Sequence, residues 1–289
     1  MENLLVVYGN STDESTYEEM NLWYSWVHIR DVLTHRAALA AQRFELSKWQ
    51  PRNACKNHTV LCCYEIMDRE YCNRWHVKDT GSWRMKINKS FSCYNWEGDF
   101  YETFWNPLAE TAVWQEYADY AGERAVMTIK LKAKGDVAVE DYFTKEKLEE
   151  IQKLPGFQAL HLYNWLPEHQ MPYNTPPAEP NTHNIVCQIS NCYMVANEWN
   201  MYMDAHPEIE ELFSMDTAIF EPQMRRVRDV DLFCKEEWRA IQALAHLIQD
   251  DKEGRAHPYA TPEIMYDNYF TPEMKEYVDA IERKSFRDI

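Results

Sequence analysis

The side chains best suited to moving a proton lie between Tyr24 and His35, where Tyr24, His28, Asp31 and His35 recur at i, i+4, i+7 and i+11. On a helix that spacing stacks all four along one stripe. Leu22, Trp26, Ile29 and Leu33 flank the stripe on one side and Met20, Trp23 and Val27 on the other, so it is expected to face protein rather than water. A histidine held there titrates near neutrality, and as a general acid or base it is worth roughly 10²–10⁴-fold in rate. Two plainer readings stand beside that one. His28 can be a core imidazole satisfied by a backbone carbonyl. His28, Asp31 and His35 can also seat a metal from one helix face, although His35 falls where the helix should be ending, and no metal is expected.

The other reactive side chains are less well supported. Cys62 and Cys63 are neighbours on a strand and point to opposite faces, so at most one enters a barrel, and no base is placed beside either. His161 alternates with its neighbours on a later strand and can face a barrel interior, a core or the surface. The Pro-rich stretch 171–180 can be a ligand for a partner, but a long hairpin loop over a barrel mouth explains it more simply.

Composition narrows the classes of function. At roughly 150 residues per domain, 289 residues suggest two domains, or one duplicated unit with an extension. Only 7 glycines are present, and neither GxGxxG nor GxxxxGK[ST] occurs, which argues against a phosphate-cradling loop. The 47 acidic against 30 basic residues give a net charge of −17, a field that repels nucleic acid. The N-terminal residues lack a basic segment followed by an apolar one, and no stretch of about 18 apolar residues occurs, so a cytoplasmic protein without membrane contact is expected. The 8 cysteines are scattered at no zinc-like spacing and suggest neither a metal site nor a disulfide framework.

The elements that must position these side chains follow from the hydrophobic pattern. Leu4–Gly9 reads as a buried strand. A capping box at Ser15 and Glu18 opens a helix that runs to about Leu33. Ala40–Leu46 and Thr59–Ile66 read as a hairpin across a Pro51 connection, Arg69–Lys78 as a second helix, and Ser90–Trp96 as a fourth strand. That order, strand, helix, strand, strand, helix, strand, is ferredoxin-like. It then recurs. Ala125–Leu131 reads as a strand, Val139–Leu154 as a helix, Phe157–Trp165 and Asn184–Ser190 as strands, and Met194–Met203 as a helix.

The expected fold is therefore α+β: two tandem ferredoxin-like units, 1–108 and 122–232, joined by a linker at 109–121. Their sheets are expected to face one another in a pseudo-dimeric α+β barrel, because each has an apolar face to cover. Residues 233–289 read as a helical C-terminal arm, packed on the barrel or on a neighbouring subunit of a homo-oligomer.

The run Trp23-Tyr24-x-x-x-His28-Ile29-x-Asp31-x-Leu33, followed by Ala40-x-Gln42-Arg43-Phe44 and Leu61-x-x-Tyr64-Glu65, resembles the first unit of the EthD-like dimeric α+β barrel families. Within them, Trp26-Val27-His28-Ile29-x-Asp31 and Tyr94-Asn95-Trp96-Glu97-Gly98 resemble pieces of the bacterial chalcone isomerase family. That resemblance implies that His28 is the catalytic acid/base, that Glu97 stands where the family has a glutamine, and that Asp79 matches an aspartate of the second helix. The family's lid-like insertion has no counterpart here. Counting back from Phe157, the position equivalent to His28 in the second unit falls near Lys147, so one site per chain is expected.

An isomerase or lyase acting on an aromatic enone needs an apolar slot, a proton carrier and a holder for a developing oxyanion. Trp23, Trp26, Trp75, Trp83 and Trp96 can wall the slot with Cys62. Tyr24 or Tyr64 can hold the oxyanion, and Glu97 can act as a second acid/base. The expected function is a cofactor-independent isomerase or lyase on a small flavonoid-, enone- or polyketide-like compound, without haem. A lactone isomerase or polyketide-type cyclase of the same barrel class is the alternative among enzymes. A barrel that only binds a hydrophobic ligand or assembles with itself is the alternative outside them.

Overall fold

The computed structural model describes residues 3–10, 17, 21, 24–34, 38–66, 101–108, 124–167, 182–224 and 226–228. By contact the chain divides into two compact units. One comprises Met1–Asn10, Gln42–Glu65 and Gly98–Arg225, and the other Ser11–Ala41, Ile66–Glu97 and Arg226–Ile289.

The first unit holds nearly all of an antiparallel sheet. Its strands are β1 (Asn3–Gly9), β2 (Ala40–Leu46), β3 (Val60–Ile66), β4 (Tyr101–Pro107), β5 (Ala125–Ala133), β6 (Phe157–Trp165), β7 (Thr182–Ile189) and β8 (Phe213–Pro222). They are hydrogen-bonded in the order β3-β1-β4-β6-β7-β5-β8-β2, and β2 also pairs with β3, which closes eight strands into a barrel. A two-residue strand β9 (Val227–Arg228) pairs with the start of β2. The fold is thus α+β around a closed barrel, and closure leaves the eight strands no open edge.

Both halves of the barrel share one strand order, β2-β3-β1-β4 and β6-β7-β5-β8. In the second half β5 is followed by α2 (Val139–Tyr142) and α3 (Lys145–Gln152), and β7 by α4 (Cys192–Ala205) and α5 (Glu208–Leu212). These helices cover the outer face of β5–β8 through Met127, Ile129, Leu160, Ile185, Ile219 and their neighbours. The helix expected over Val139–Leu154 is two. Phe143 leaves the helix to bury its ring against Phe213, at 5.5 Å between centroids, and Thr144 starts a new N-terminus by accepting from the Lys147 N–H. Thr144→Ala is expected to cost about 0.5–1 kcal/mol, read as a lowered urea midpoint.

One strand lies elsewhere than expected, and another is not expected at all. The strand that pairs with β1 is Tyr101–Pro107, with Leu4 opposite Trp105 and Tyr8 opposite Tyr101, while the strand expected over Ser90–Trp96 lies outside the described residues. The expectation places the strand on the earlier aromatic run, whereas pairing with β1 selects the later one. The fourth strand of the second half, β8, has no sequence expectation because Ser214 and Asp216 dilute its apolar pattern. The second helix of the first half, the 109–121 linker and the 233–289 arm lie outside the described residues.

In the other unit, His28 ends a π-helical turn, Tyr24–His28, that runs into α1 (Ile29–Thr34). Ile29, Val32 and Leu33 are buried, as the apolar flank of the stripe requires. Among the described residues, no helix is long and apolar enough to cross a membrane.

Candidate functional site

Alternation along each strand sends every second side chain into the barrel. Leu4, Val6 and Tyr8 of β1, Phe44 of β2, Leu61 of β3, Trp105 of β4, Val126 of β5, Tyr163 of β6, Val186 of β7, and Ala218 and Phe220 of β8 form one buried cluster. Leu46, Cys63 and Trp165 pack against it.

Register arranges this interior in rows across the strands. One row is Leu4, Trp105 and Trp165. The next is polar: Tyr163 stands opposite Asn184, Asn184 opposite Lys130, and Lys130 opposite Asp216. A third runs His161, Val186, Thr128 and Ala218, and a fourth Gln188, Val126, Phe220 and Leu46. Tyr163 and Asn184 in the polar row are buried, Lys130 is half-buried and Asp216 is exposed, so the row leads from the barrel interior out to solvent.

Tyr8 reaches this row. The Lys130 Nζ lies 3.8 Å from the centre of the Tyr8 ring, a cation–π contact, and Asn184 donates to the Tyr8 hydroxyl at 3.5 Å. Burial pushes the Tyr8 phenol well up, against hydrogen bonds with Thr128 and Asn184, and burial likewise raises Tyr163. Both phenols therefore stay protonated. Burial lowers the Lys130 ammonium from its ordinary value, with the Asp216 carboxylate opposing the shift.

His161 is buried at 3% exposure, and its Nδ1 lies 3.1 Å from the Tyr163 hydroxyl. Desolvation lowers its pKa to about 3. It is thus a neutral hydrogen-bonding partner of Tyr163 at physiological pH, too weak a base for general catalysis.

Tyr24 and His28 are neighbours, their rings edge to face at 4.8 Å between centroids, with Tyr24 buried and His28 half-buried. Even across a π-helical turn the i, i+4 spacing brings them together. The backbone of Asp31 lies in α1. Trp23, His35, Trp75, Asp79, Trp83, Trp96 and Glu97 lie outside the described residues.

Cys62 and Tyr64 are buried on β3 but alternate with Leu61 and Cys63, the residues that join the interior cluster. The inward cysteine is therefore Cys63 and not Cys62, and Tyr64 takes the outer face with it. A strand's period of two permits one choice or the other, and only pairing with its neighbours decides which. Burial raises the Cys63 thiol well above its ordinary value, so it is no ready nucleophile. Lys147 belongs to an ionic cluster on the helices: its Nζ lies 3.1 Å from Glu150 and 3.5 Å from His206 Nδ1. His206 in turn meets Glu150 at 3.2 Å and Glu208 at 3.1 Å, which ties α3 to the start of α5.

Sequence reasoning misses Lys130, Tyr8, Asn184 and Trp105 as site residues. The available signal is a lone charged or polar residue at an inward position of an otherwise apolar strand, as Lys130 is after Val126 and Thr128. Among the described residues, no group of three or more His, Cys, Asp or Glu side chains is placed to hold a metal ion.

No protein-family profile matches the chain. No curated protein matches it either. Among solved structures it is similar to an anthrone oxidase-like protein, with 11% identity, a TM-score of 0.51, and 78% of this chain and 92% of that one covered. A provisionally named monooxygenase of Lactobacillus acidophilus shares 10% identity at a TM-score of 0.44, covering 78% of this chain and 96% of that one. Another from Fusobacterium nucleatum shares 11% at 0.46, covering 78% and 94%. At these identities the first likeness speaks to the fold, an α+β barrel.

Proposed function

We propose that this protein is an enzyme that holds a small aromatic molecule inside the barrel and moves a proton to or from one of its carbon atoms, as an isomerase or lyase does. The observation that carries the reading is Lys130, a cation set on the inner wall over the Tyr8 ring and in register with Asn184 and Asp216. The aromatic side chains of Tyr8, Phe44, Trp105, Tyr163 and Phe220 supply the flat apolar contacts that an aromatic ligand requires. We read the barrel as two diverged ferredoxin-like units, a reading supported by the strand order that occurs twice.

In this reading Lys130 rests as the ammonium over the Tyr8 ring, gives up its proton, and as the amine then takes one from carbon next to a carbonyl, with the Tyr8 hydroxyl as the nearby donor. Returning the proton to a different atom completes an isomerisation. A separate candidate, in the other unit and carried by the family resemblance rather than by Lys130, is His28 beside Tyr24 as an acid/base group, with Glu97, Asp79, Trp23, Trp75 and Trp96 as its expected companions. The likeness to an anthrone oxidase-like protein favours a second reading on the same first step. There molecular oxygen is the oxidant: it adds to the carbanion, the peroxide takes up the abstracted proton, and loss of water leaves a new carbonyl with one added oxygen.

Both readings are tested by following chalcone, flavanone and anthrone by absorbance under air and under argon. Lys130→Met is expected to lower kcat by about 10²–10⁴-fold with the urea midpoint unchanged, and the same loss in His28→Ala instead would mark the separate candidate. Wild-type turnover by Lys130→Met removes Lys130 from the chemistry. Turnover that stops under argon, with an added oxygen in the product, selects the oxidative reading.

A further inference from the structure

The barrel interior contains a pair of hydrogen-bond donors with no acceptor among the described residues. Trp105 and Trp165 stand directly opposite each other on β4 and β6, in the row that begins with Leu4. Directly opposed residues on one face of an antiparallel pair have Cβ atoms about 4.5–5.5 Å apart. Trp105 is 1% exposed and belongs to the interior cluster, and Trp165 packs against that cluster.

Both indole Nε1 atoms are shut off from solvent, and among the described residues neither has an acceptor. An indole N–H can only donate, so only an acceptor oxygen or nitrogen can satisfy it. A buried donor left without a partner costs about as much as the lost hydrogen bond, and proteins rarely carry two side by side. The adjacent strand residues Asn106 and Asn164 do pair with each other, at 3.0 Å, on the alternate positions. The same two strands therefore satisfy their polar groups on one face and leave two donors open on the other.

We infer that Trp105 and Trp165 together form an oxygen-binding site in the barrel, which seats the carbonyl oxygen of an aromatic ketone between two indole N–H groups. The inference rests on the reading of the interior as a ligand site and assigns the ligand's orientation within it. A carbonyl oxygen has two lone pairs and accepts two donors at once, matching the pair. Tyr163, two residues before Trp165 on β6, stands in the adjacent row with Asn184 and Lys130. A ketone whose oxygen sits on the indoles thus presents its neighbouring carbon toward the row that holds the amine. If negative charge develops on that oxygen when the carbon loses a proton, the two donors stabilise it more than they stabilise the ketone.

Fluorenone and fluorene provide the test, because they share one flat frame and differ only in a carbonyl in place of a methylene. Binding to the full-length protein is measured by calorimetry, and the tryptophan indole N–H resonances are followed in ¹H–¹⁵N spectra, with Trp105→Phe and Trp165→Phe used for assignment. Fluorenone is expected to bind at least about tenfold more tightly than fluorene, the worth of one net hydrogen bond, and to move the Trp105 and Trp165 resonances downfield. Each Phe variant should lose most of the preference for fluorenone while keeping its affinity for fluorene, which also reports that the barrel is folded. Equal binding of the two compounds by the wild type, with both indole resonances unmoved, overturns the donor pair and leaves the interior ligand site standing. Failure of both compounds to bind overturns the donor pair and the interior ligand site together.

Discussion

Gly156→Ala should destabilise the protein by roughly 2–4 kcal/mol, seen as a fall in the urea midpoint at constant slope. Gly156 closes the turn between α3 and β6 with a φ of +87°, in the left-handed region where an L side chain is strained by about 1–2 kcal/mol. Space is a second obstacle. A Cβ there would stand 2.7 Å from Val195 Cγ2 and 2.8 Å from Met194 Cε, so the first turn of α4 would have to move. The Gly156 carbonyl also accepts the Ser190 N–H at 2.9 Å, which joins this turn to the one that opens α4. Gly135 serves as the control. It has nothing within 4 Å of an added Cβ, and Gly135→Ala is expected to change stability by less than about 0.5 kcal/mol. An equal response at the two glycines would sink the argument from close approach.

Acidification should weaken the fold through His161. In the unfolded chain its imidazole takes a proton near pH 6.5, whereas desolvation in the barrel delays protonation to about pH 3. Between those values the unfolded state binds more protons, so stability falls as the pH drops from about 6.5 toward 3 and gains nothing from this group above 6.5. From pH 7 to pH 5 the loss attributable to His161 is roughly 2 kcal/mol. Carboxylates titrate over part of the same range, so the informative quantity is the difference between wild type and His161→Gln. The variant is expected to show a pH 7 to pH 5 decline smaller by that amount. Superimposable pH profiles would mean that His161 protonates freely in the folded protein.

Much of the architecture is legible in local sequence. β1 is a run of apolar residues between a polar start and Gly9. β2, β3, β5 and β6 alternate or stay apolar over the lengths that strands have, and the closing strand pair of the first half reads as a hairpin. The helix at Tyr24 and the helix at Cys192 are both signalled by periodicity. Where reading by pattern fails, the reason is physical. Ser90–Trp96 and Tyr101–Pro107 are equally aromatic, and only hydrogen bonding to β1 distinguishes the second as the paired strand. Val139–Leu154 contains no breaker, and burial of Phe143 against Phe213 splits it in two.

The candidate site was less legible than the fold. His28 and Tyr24 stand out because they are near in sequence, and their rings do meet. Tyr8, Lys130, Tyr163, Asn184 and Asp216 come from five different strands and have no spacing to betray them. Their association is a matter of register, and a slip of one residue in any of those strands would send its member to the helix-covered face. Cys62 and Cys63 illustrate the same point within a single strand.

Taken alone, the amino-acid sequence determines the local elements and the lack of a glycine-rich phosphate loop, because these depend on residues within a few positions of one another. The tertiary structure alone decides which face of each strand is the interior, which polar groups share a row, that His161 is held neutral, and that two indole donors are left open. Those properties arise from long-range strand pairing and from the removal of water, and neither is a property of any short stretch of chain.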